Sequence, residues 1–171
     1  MMRLISAMVL LTTPTSPNAS ELDVRSRGMV FPGPYQAEML QVLDGDTIVA
    51  RVAIWPGLIA EYSVRVHGID APEITRPDCE AELEWGLRAK EQVERLYPVG
   101  SEIRLENVQF DVWSGRVVAE VRRFRSDRFL FLSDELLERD LAIRWEPSQA
   151  AIPWCLLAQG EDGELPPTAS E

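Results

Sequence analysis

The chain has 171 residues and a mass of 19.3 kDa, a length that fits one domain with flanking tails. Hydrophobic residues make up 46% and charged residues 26%, which excludes a wholly disordered, collagen-like or multispan membrane protein. Acidic side chains outnumber basic ones by 28 to 17, and the formal charge is -11. This charge excludes a general basic surface for nucleic acid, so any polyanionic partner must be held locally.

The first 19 residues have the pattern of a secretory signal peptide. A positive start at Arg3 precedes the apolar run LISAMVLL, and a small, polar stretch leads to an expected cleavage near Ala19. The run is shorter than the roughly 20 apolar residues of a membrane span. A frayed apolar N-terminus or an overpredicted start codon is the alternative. We therefore expect a secreted or periplasmic protein with no stable membrane association after the leader is removed.

The rest of the chain divides into an extension at 20–37, a domain at 38–146 and a segment at 147–171 that ends in an acidic, proline-rich tail expected to be disordered. Extended runs are predicted at 38–43, 47–54, 60–69, 102–110, 116–124 and 128–132. Asp44-Gly45 between the first two is a hairpin-turn pair and indicates a type I' turn or a supporting role beside the site.

Two helices are predicted, a long one at 80–96 that ends before Pro98 and a short one at 133–139 capped by Ser133. Leu83, Leu87 and Leu96 are expected in the core with Val117 and Val121. The helix acids are expected on its solvated side; they are Glu80, Glu82, Glu84, Glu91 and Glu94. This order of elements predicts a mainly β, α+β fold: a five-stranded Greek-key OB-fold barrel with one long helix and one short C-terminal helix.

The chain has two cysteines, Cys79 and Cys155. An oxidising compartment allows such a pair to form a disulfide, which we expect here. Free thiols or half a metal site are the alternative, and they are weaker because the lone His67 offers no ligand set. The bridge would fix the C-terminal segment to the body of the domain and stabilise it by about 4 kcal/mol as an upper value.

Three acids and two arginines fall at predicted strand ends and turns. Asp46 and Asp70 supply carboxylates suited to a hard divalent cation, and a backbone carbonyl and waters can complete the ligand set. Glu73, three positions after Asp70, could lie one water away, as a general base requires. Arg65 and Arg116 offer paired donors to a phosphoryl transition state. Either arginine could instead be an ordinary strand residue.

The motifs VLDGDTI at 42–48, RVHGIDAPE at 65–73 and DVWSGRVVAEV at 111–121 resemble the staphylococcal nuclease (thermonuclease) family over about 40–145. The resemblance implies that Asp46, Asp70 and the carbonyl of Ala71 hold Ca²⁺. It implies that Glu73 activates the attacking water, and that Arg65 and Arg116 stabilise the phosphorane and help to expel the 5'-oxygen. The implied reaction is hydrolysis of DNA or RNA to 3'-phosphate products.

The sequence departs from the family pattern at two positions. Ala71 stands where the family often has Thr, and Ser114 is inserted before Gly115, which shifts Arg116 by one position. A bulge or longer turn could absorb the shift. We expect a monomer. Because the protein is acidic, we expect it to hold nucleic acid weakly. The alternatives are a catalytically weak or inactive OB-fold module that binds nucleic acid or a protein partner, and a domain that uses calcium only for stability.

Two further groups have open interpretations. Trp113 could stack on a base or cover the barrel end. The arginines of the last hairpin could contact phosphate or form a solvated strand face; they are Arg122, Arg123, Arg125 and Arg128. His67 could border the site, although a partly exposed structural histidine is the simpler interpretation.

Overall fold

The computed structural model describes residues 28–111 and 115–158. The predicted signal peptide, the acidic tail, Trp113 and Ser114 lie outside the described residues. No helix in the described ranges combines the length and apolar character needed to cross a bilayer.

Seven strands form one sheet: β1 (Val30–Phe31), β2 (Tyr35–Val42), β3 (Thr47–Trp55), β4 (Leu58–Val66), β6 (Glu102–Phe110), β7 (Val117–Arg125) and β8 (Arg128–Phe131). The strand order is β1-β6-β2-β3-β4-β7-β8, and a further pairing of β6 with β7 closes a five-stranded barrel. β4 and β7 run parallel, and the other pairs are antiparallel. The predicted OB-fold-like barrel is confirmed.

The barrel interior follows from alternation along its strands. Ile48, Ala50 and Val52 of β3 are buried, as are Val117, Ala119 and Val121 of β7, and the residues that alternate with them are more exposed. Side chains of a strand alternate between faces, so one set fills the core. Each fully buried side chain of this size stabilises the fold by about 1.5–3 kcal/mol.

The long helix α1 (Glu80–Leu96) covers the barrel with the face that carries Trp85, Ala89, Val93 and Leu96. These residues are three or four positions apart, which places them on one side of a helix. The expectation for Leu87 is wrong: it is exposed because it lies two positions from both Trp85 and Ala89, on the opposite side. A short helix α2 (Leu132–Leu137) follows β8.

A second, two-stranded sheet joins β5 (Ile69–Asp70) to β9 (Ile143–Arg144), with Asp70 opposite Ile143. A third helix, α3 (Trp154–Ala158), was not predicted, and it packs on α1. The disulfide between Cys79 and Cys155 is confirmed and joins α3 to the residue before α1. Ordered packing therefore extends beyond the predicted domain limits of 38 and 146, from β1 to Ala158.

Candidate functional site

The turn between β2 and β3 brings Asp46 into the interior at only 3% exposure. Neither Asp44 nor Gly45 has a positive φ, so this is not the expected type I' turn. Gly45 is needed for space instead, because a Cβ there would lie 2.7 Å from Cβ of Ala71 and 2.8 Å from Cβ of Ala89. The Asp46 N–H donates to Oδ1 of Asp44 at 3.0 Å, which gives Asp44 the supporting role.

Arg65, on β4, links the two predicted metal-ligating aspartates. Its Nη1 donates to Oδ1 of Asp46 at 2.6 Å, and its Nη2 donates to Oδ1 of Asp70 at 2.6 Å. Asp46 also accepts the hydroxyl of Thr47 at 2.9 Å and the backbone N–H of Ala71 at 2.8 Å. The carboxylates of Asp46 and Asp70 and the backbone of Ala71 thus meet around one guanidinium.

The charges in this cluster act on one another. Burial raises the pKa of Asp46 to about 7; the guanidinium of Arg65 opposes the rise, and the carboxylate of Asp44 adds to it. Burial also disfavours the cation of Arg65, but Asp46 and Asp70 outweigh that cost and raise the pKa of Arg65 above its usual value. Arg65 therefore stays charged, and Asp46 is a carboxylate that gains from additional positive charge.

Glu73 lines the same cavity as Asp46, Asp70 and Ala71, a pocket of about 260 Å³ that we call the acid pocket. Its Oε1 accepts the backbone N–H of Ile74 at 2.9 Å and of Thr75 at 2.8 Å. Among the described residues both hydrogen bonds fall on Oε1, so Oε2 keeps its capacity to accept a proton.

Glu82, in the first turn of α1, holds the loop that carries Glu73. It is 5% exposed, and its two carboxylate oxygens accept the backbone N–H groups of Glu73 at 3.2 Å and Asp78 at 2.8 Å. The prediction that Glu82 is solvated is wrong, because the 73–78 loop folds back over the start of the helix. The other helix acids are exposed as expected; they are Glu80, Glu84, Glu91 and Glu94.

The same loop lies directly against Gly86 of α1. A Cβ at Gly86 would lie 2.6 Å from the carbonyl oxygen of Pro72 and 2.5 Å from Cγ2 of Ile74. Real Cβ atoms do not approach that closely, so glycine lets the loop reach its place. The helix therefore positions the loop both by packing and through the carboxylate of Glu82.

Arg116 lies apart from the acid pocket. It lines a neighbouring groove of about 1510 Å³, which shares Arg65 and Asp70 with that pocket, and its Nε donates to Oδ2 of Asp111 at 3.1 Å. Phe110 pairs with Val117, so the inserted residue falls between β6 and β7 in the sequence. The register of the two strands shifts by one residue between Glu106 and Gln109, which places a bulge in β6 close to this connection. The groove's acids outnumber its arginines by five to three.

The donors of the acid pocket fit a hard cation. The pocket is lined by six acids and two arginines, and the carboxylates of the predicted ligands Asp46 and Asp70 are oxygen donors of the kind that Ca²⁺ prefers. Ala71, the predicted carbonyl ligand, also lines the pocket. Each carboxylate can accept about four contacts, so the present hydrogen bonds leave capacity. The sulfurs of Cys79 and Cys155 also lie near Glu82, but as a disulfide they offer no thiolate ligand.

The arginines of the last hairpin were predicted either to contact phosphate or to form a solvated strand face, and the structure divides them into two pairs. Arg122 pairs with Glu106, and Arg123 pairs with buried Glu135, so these two serve the fold. Arg125 and Arg128 are exposed at the hairpin end. His67 is exposed and borders the groove rather than the acid pocket.

Sequence reasoning missed three contributors to the site. Arg76 is an exposed cation of the 73–78 loop that lines the acid pocket. Trp154 donates its indole N–H to Oδ2 of Asp70 at 3.1 Å, and Glu82 anchors the loop. For Arg76, the nearby Asp-x-x-Glu motif was the available signal. Trp154 and Asp70 are 84 positions apart, which leaves no local pattern. Glu82 lies only four and nine positions from Asp78 and Glu73, but its role depends on how the loop between them folds back over α1.

No protein-family profile matches this sequence, and no curated protein matches it. The resemblance to thermonucleases therefore depends on the sequence motifs alone.

Proposed function

We propose that this protein is an exported, calcium-dependent nuclease of the thermonuclease type that hydrolyses phosphodiester bonds of DNA and RNA. The observation that carries the proposal is the convergence of Asp46, Asp70, Ala71 and Glu73 on one small pocket around Arg65. A purely structural ion pair would account for the burial of Arg65 beside one carboxylate. It would not explain two further carboxylates, on Asp70 and Glu73, in the lining of the same cavity.

Asp46, Asp70 and the Ala71 carbonyl are the residues proposed to hold the ion. When bound, Ca²⁺ would supply positive charge that polarises the scissile phosphate. The six acids against two arginines in the pocket favour uptake of such a cation, and the raised pKa of Asp46 indicates a carboxylate short of compensating charge.

Glu73 is the proposed general base. It takes a proton from a water whose oxygen attacks phosphorus, and the bond from phosphorus to the 5'-oxygen breaks. The departing 5'-oxygen takes up a proton from solvent, and the products are a 3'-phosphate and a 5'-hydroxyl. Because Ile74 and Thr75 hold Oε1 through their backbone N–H groups, the other oxygen is the one proposed to receive the proton.

The arginines are proposed to stabilise the charge that develops on the phosphoryl oxygens. Arg65 borders both the acid pocket and the groove, so it can act where the two meet. Arg116 would approach from the groove side and would have to exchange its contact with Asp111 for the phosphate. The acidic groove supports the expectation of weak holding of long polymers.

The test uses denatured DNA and RNA with calcium or with a chelator, and analysis of the product ends. We expect calcium-dependent cleavage to 3'-phosphates, lost by at least a hundredfold in Glu73→Gln, since general-base catalysis contributes about 10²–10⁴ in rate. Glu91→Gln, an exposed acid on the far part of α1, is the matched control and should keep full activity. Undiminished cleavage by Glu73→Gln would remove that residue from the mechanism.

The second candidate is a catalytically weak or inactive module that binds nucleic acid or a protein partner. One observation favours it: both predicted phosphate-binding arginines are already paired with acids. This candidate predicts binding of single-stranded nucleic acid without cleavage in calcium, so the same assay separates the two.

A further inference from the structure

Trp154 contacts the proposed metal ligand Asp70 from outside the barrel. Its indole N–H donates to Oδ2 of Asp70 at 3.1 Å, while Arg65 donates to Oδ1 at 2.6 Å. Each carboxylate oxygen therefore has one donor of its own. The plane of the carboxylate is fixed, and each oxygen still has capacity for a cation.

The indole is itself held rigidly. Trp154 is 5% exposed and packs edge-to-face on Trp85 of α1, with ring centroids 5.0 Å apart. The next residue, Cys155, is bonded to Cys79, which directly precedes α1. The short helix α3 thus presents one N–H group to Asp70 from a position fixed on two sides.

Residues next to Trp154 in the sequence line the same pocket. Ala151, Ile152 and Trp154 all line the acid pocket. The backbone of Asp70 pairs with Ile143 of β9. The segment after the barrel therefore holds both the main chain and the side chain of this one aspartate.

We propose that Trp154 is a positioning residue that sets the orientation of the Asp70 carboxylate for cation binding, with α3 as its disulfide-tethered support. This inference rests on the proposed function, since it assumes that Asp70 binds Ca²⁺. The physical reason is that a hydrogen bond to a ligating group fixes its orientation, and loss of such a partner typically costs 10–100-fold in metal affinity.

The test measures calcium affinity by titration calorimetry on the full mature chain. Trp154→Phe removes the N–H group and keeps an aromatic ring against Trp85, and we expect 10–100-fold weaker calcium binding. Trp85→Phe is the matched control: it also removes an indole N–H from this ring pair, but that group donates to the carbonyl of Asp140, away from the pocket. Its calcium affinity should fall clearly less than that of Trp154→Phe, because a Phe ring still packs on Trp154 and the N–H group to Asp70 is kept.

A second variant separates positioning from packing. Phe is smaller than Trp, so Trp154→Phe changes the packing as well as the N–H group. 3-Benzothienylalanine at position 154 replaces only the ring N–H by sulfur and should weaken calcium binding as Trp154→Phe does. Thermal unfolding with chelator should change only by the loss of this one hydrogen bond, whereas a merely structural role of the indole would leave calcium affinity unchanged.

The outcomes are distinguishable. Wild-type protein that binds calcium, with an unchanged affinity in both variants at position 154, overturns the role of Trp154 and leaves the proposed function intact. Wild-type protein that binds no calcium overturns the metal site and this inference together. Equal losses in Trp85→Phe and Trp154→Phe would assign the effect to packing and also refute the proposal.

Discussion

Replacing Glu82 by Gln tests whether a buried carboxylate of α1 holds the loop that carries Glu73. Each carboxylate oxygen accepts one backbone N–H, from Glu73 and from Asp78. An amide has a single acceptor oxygen, so one of these N–H groups would face an NH₂ group and lose its partner. An unsatisfied buried donor costs about 1–3 kcal/mol, so we expect a loss of about 2 kcal/mol in the free energy of unfolding.

For an ordered domain of roughly 130 residues, a loss of about 2 kcal/mol lowers Tm by about 7 °C. The assay is thermal unfolding followed by circular dichroism, with chelator present so that calcium does not contribute. Glu84→Gln, two positions along the same helix and exposed, is the control and should shift Tm by less than about 2 °C. Equal Tm values for the two variants would refute the assignment of Glu82 as the anchor of the loop.

Three further results are expected. Calcium affinity should fall about tenfold from pH 8 to pH 6, because burial raises the pKa of Asp46 to about 7 and a proton then competes with the cation; calorimetry that gives a flat profile contradicts this. Without calcium the same raised pKa favours the protonated fold, so this group's contribution to stability should decline as pH rises from about 4 through 7. Gly86→Ala should lower Tm although alanine favours helix by about 1 kcal/mol, since its Cβ would meet the Pro72 carbonyl; a higher Tm would show that the loop moves freely. Replacing Cys79 and Cys155 by Ser should reduce the unfolding free energy in urea by up to about 4 kcal/mol, and an unchanged midpoint would contradict that.

The sequence predicted the parts of the fold that depend on local pattern. The limits of α1 and β6 agree with the predicted 80–96 and 102–110, because apolar spacing and the flanking Pro98 and Gly100 are local signals. The barrel followed from the order of elements. The two-residue strands β5 and β9 were not predicted separately, since pairs that short carry no periodicity.

The candidate site was predictable only in its acids and arginines. Asp46, Asp70 and Glu73 stand in recognisable motifs, and all three line the acid pocket. The roles of Glu82 and Trp154 could not be predicted from the sequence. Glu82 contacts Asp78 only when the loop has packed on α1, and Trp154 contacts Asp70 only when the C-terminal segment has packed on the barrel. Solvation of a helix acid cannot be judged without knowing what lies over it.

The pairing of β5 with β9 has a consequence for the order in which the molecule is built. Every residue with an assigned catalytic or metal role lies between Asp46 and Arg116, yet Asp70 is paired by Ile143 and contacted by Trp154. A nascent chain would therefore expose all of these catalytic and metal-binding groups before the residues that hold Asp70 and complete the pocket, at 143–154, have been synthesised. A chain truncated before Ile143 should therefore keep all of these side chains and the barrel strands, but lose the two contacts that hold Asp70 in place.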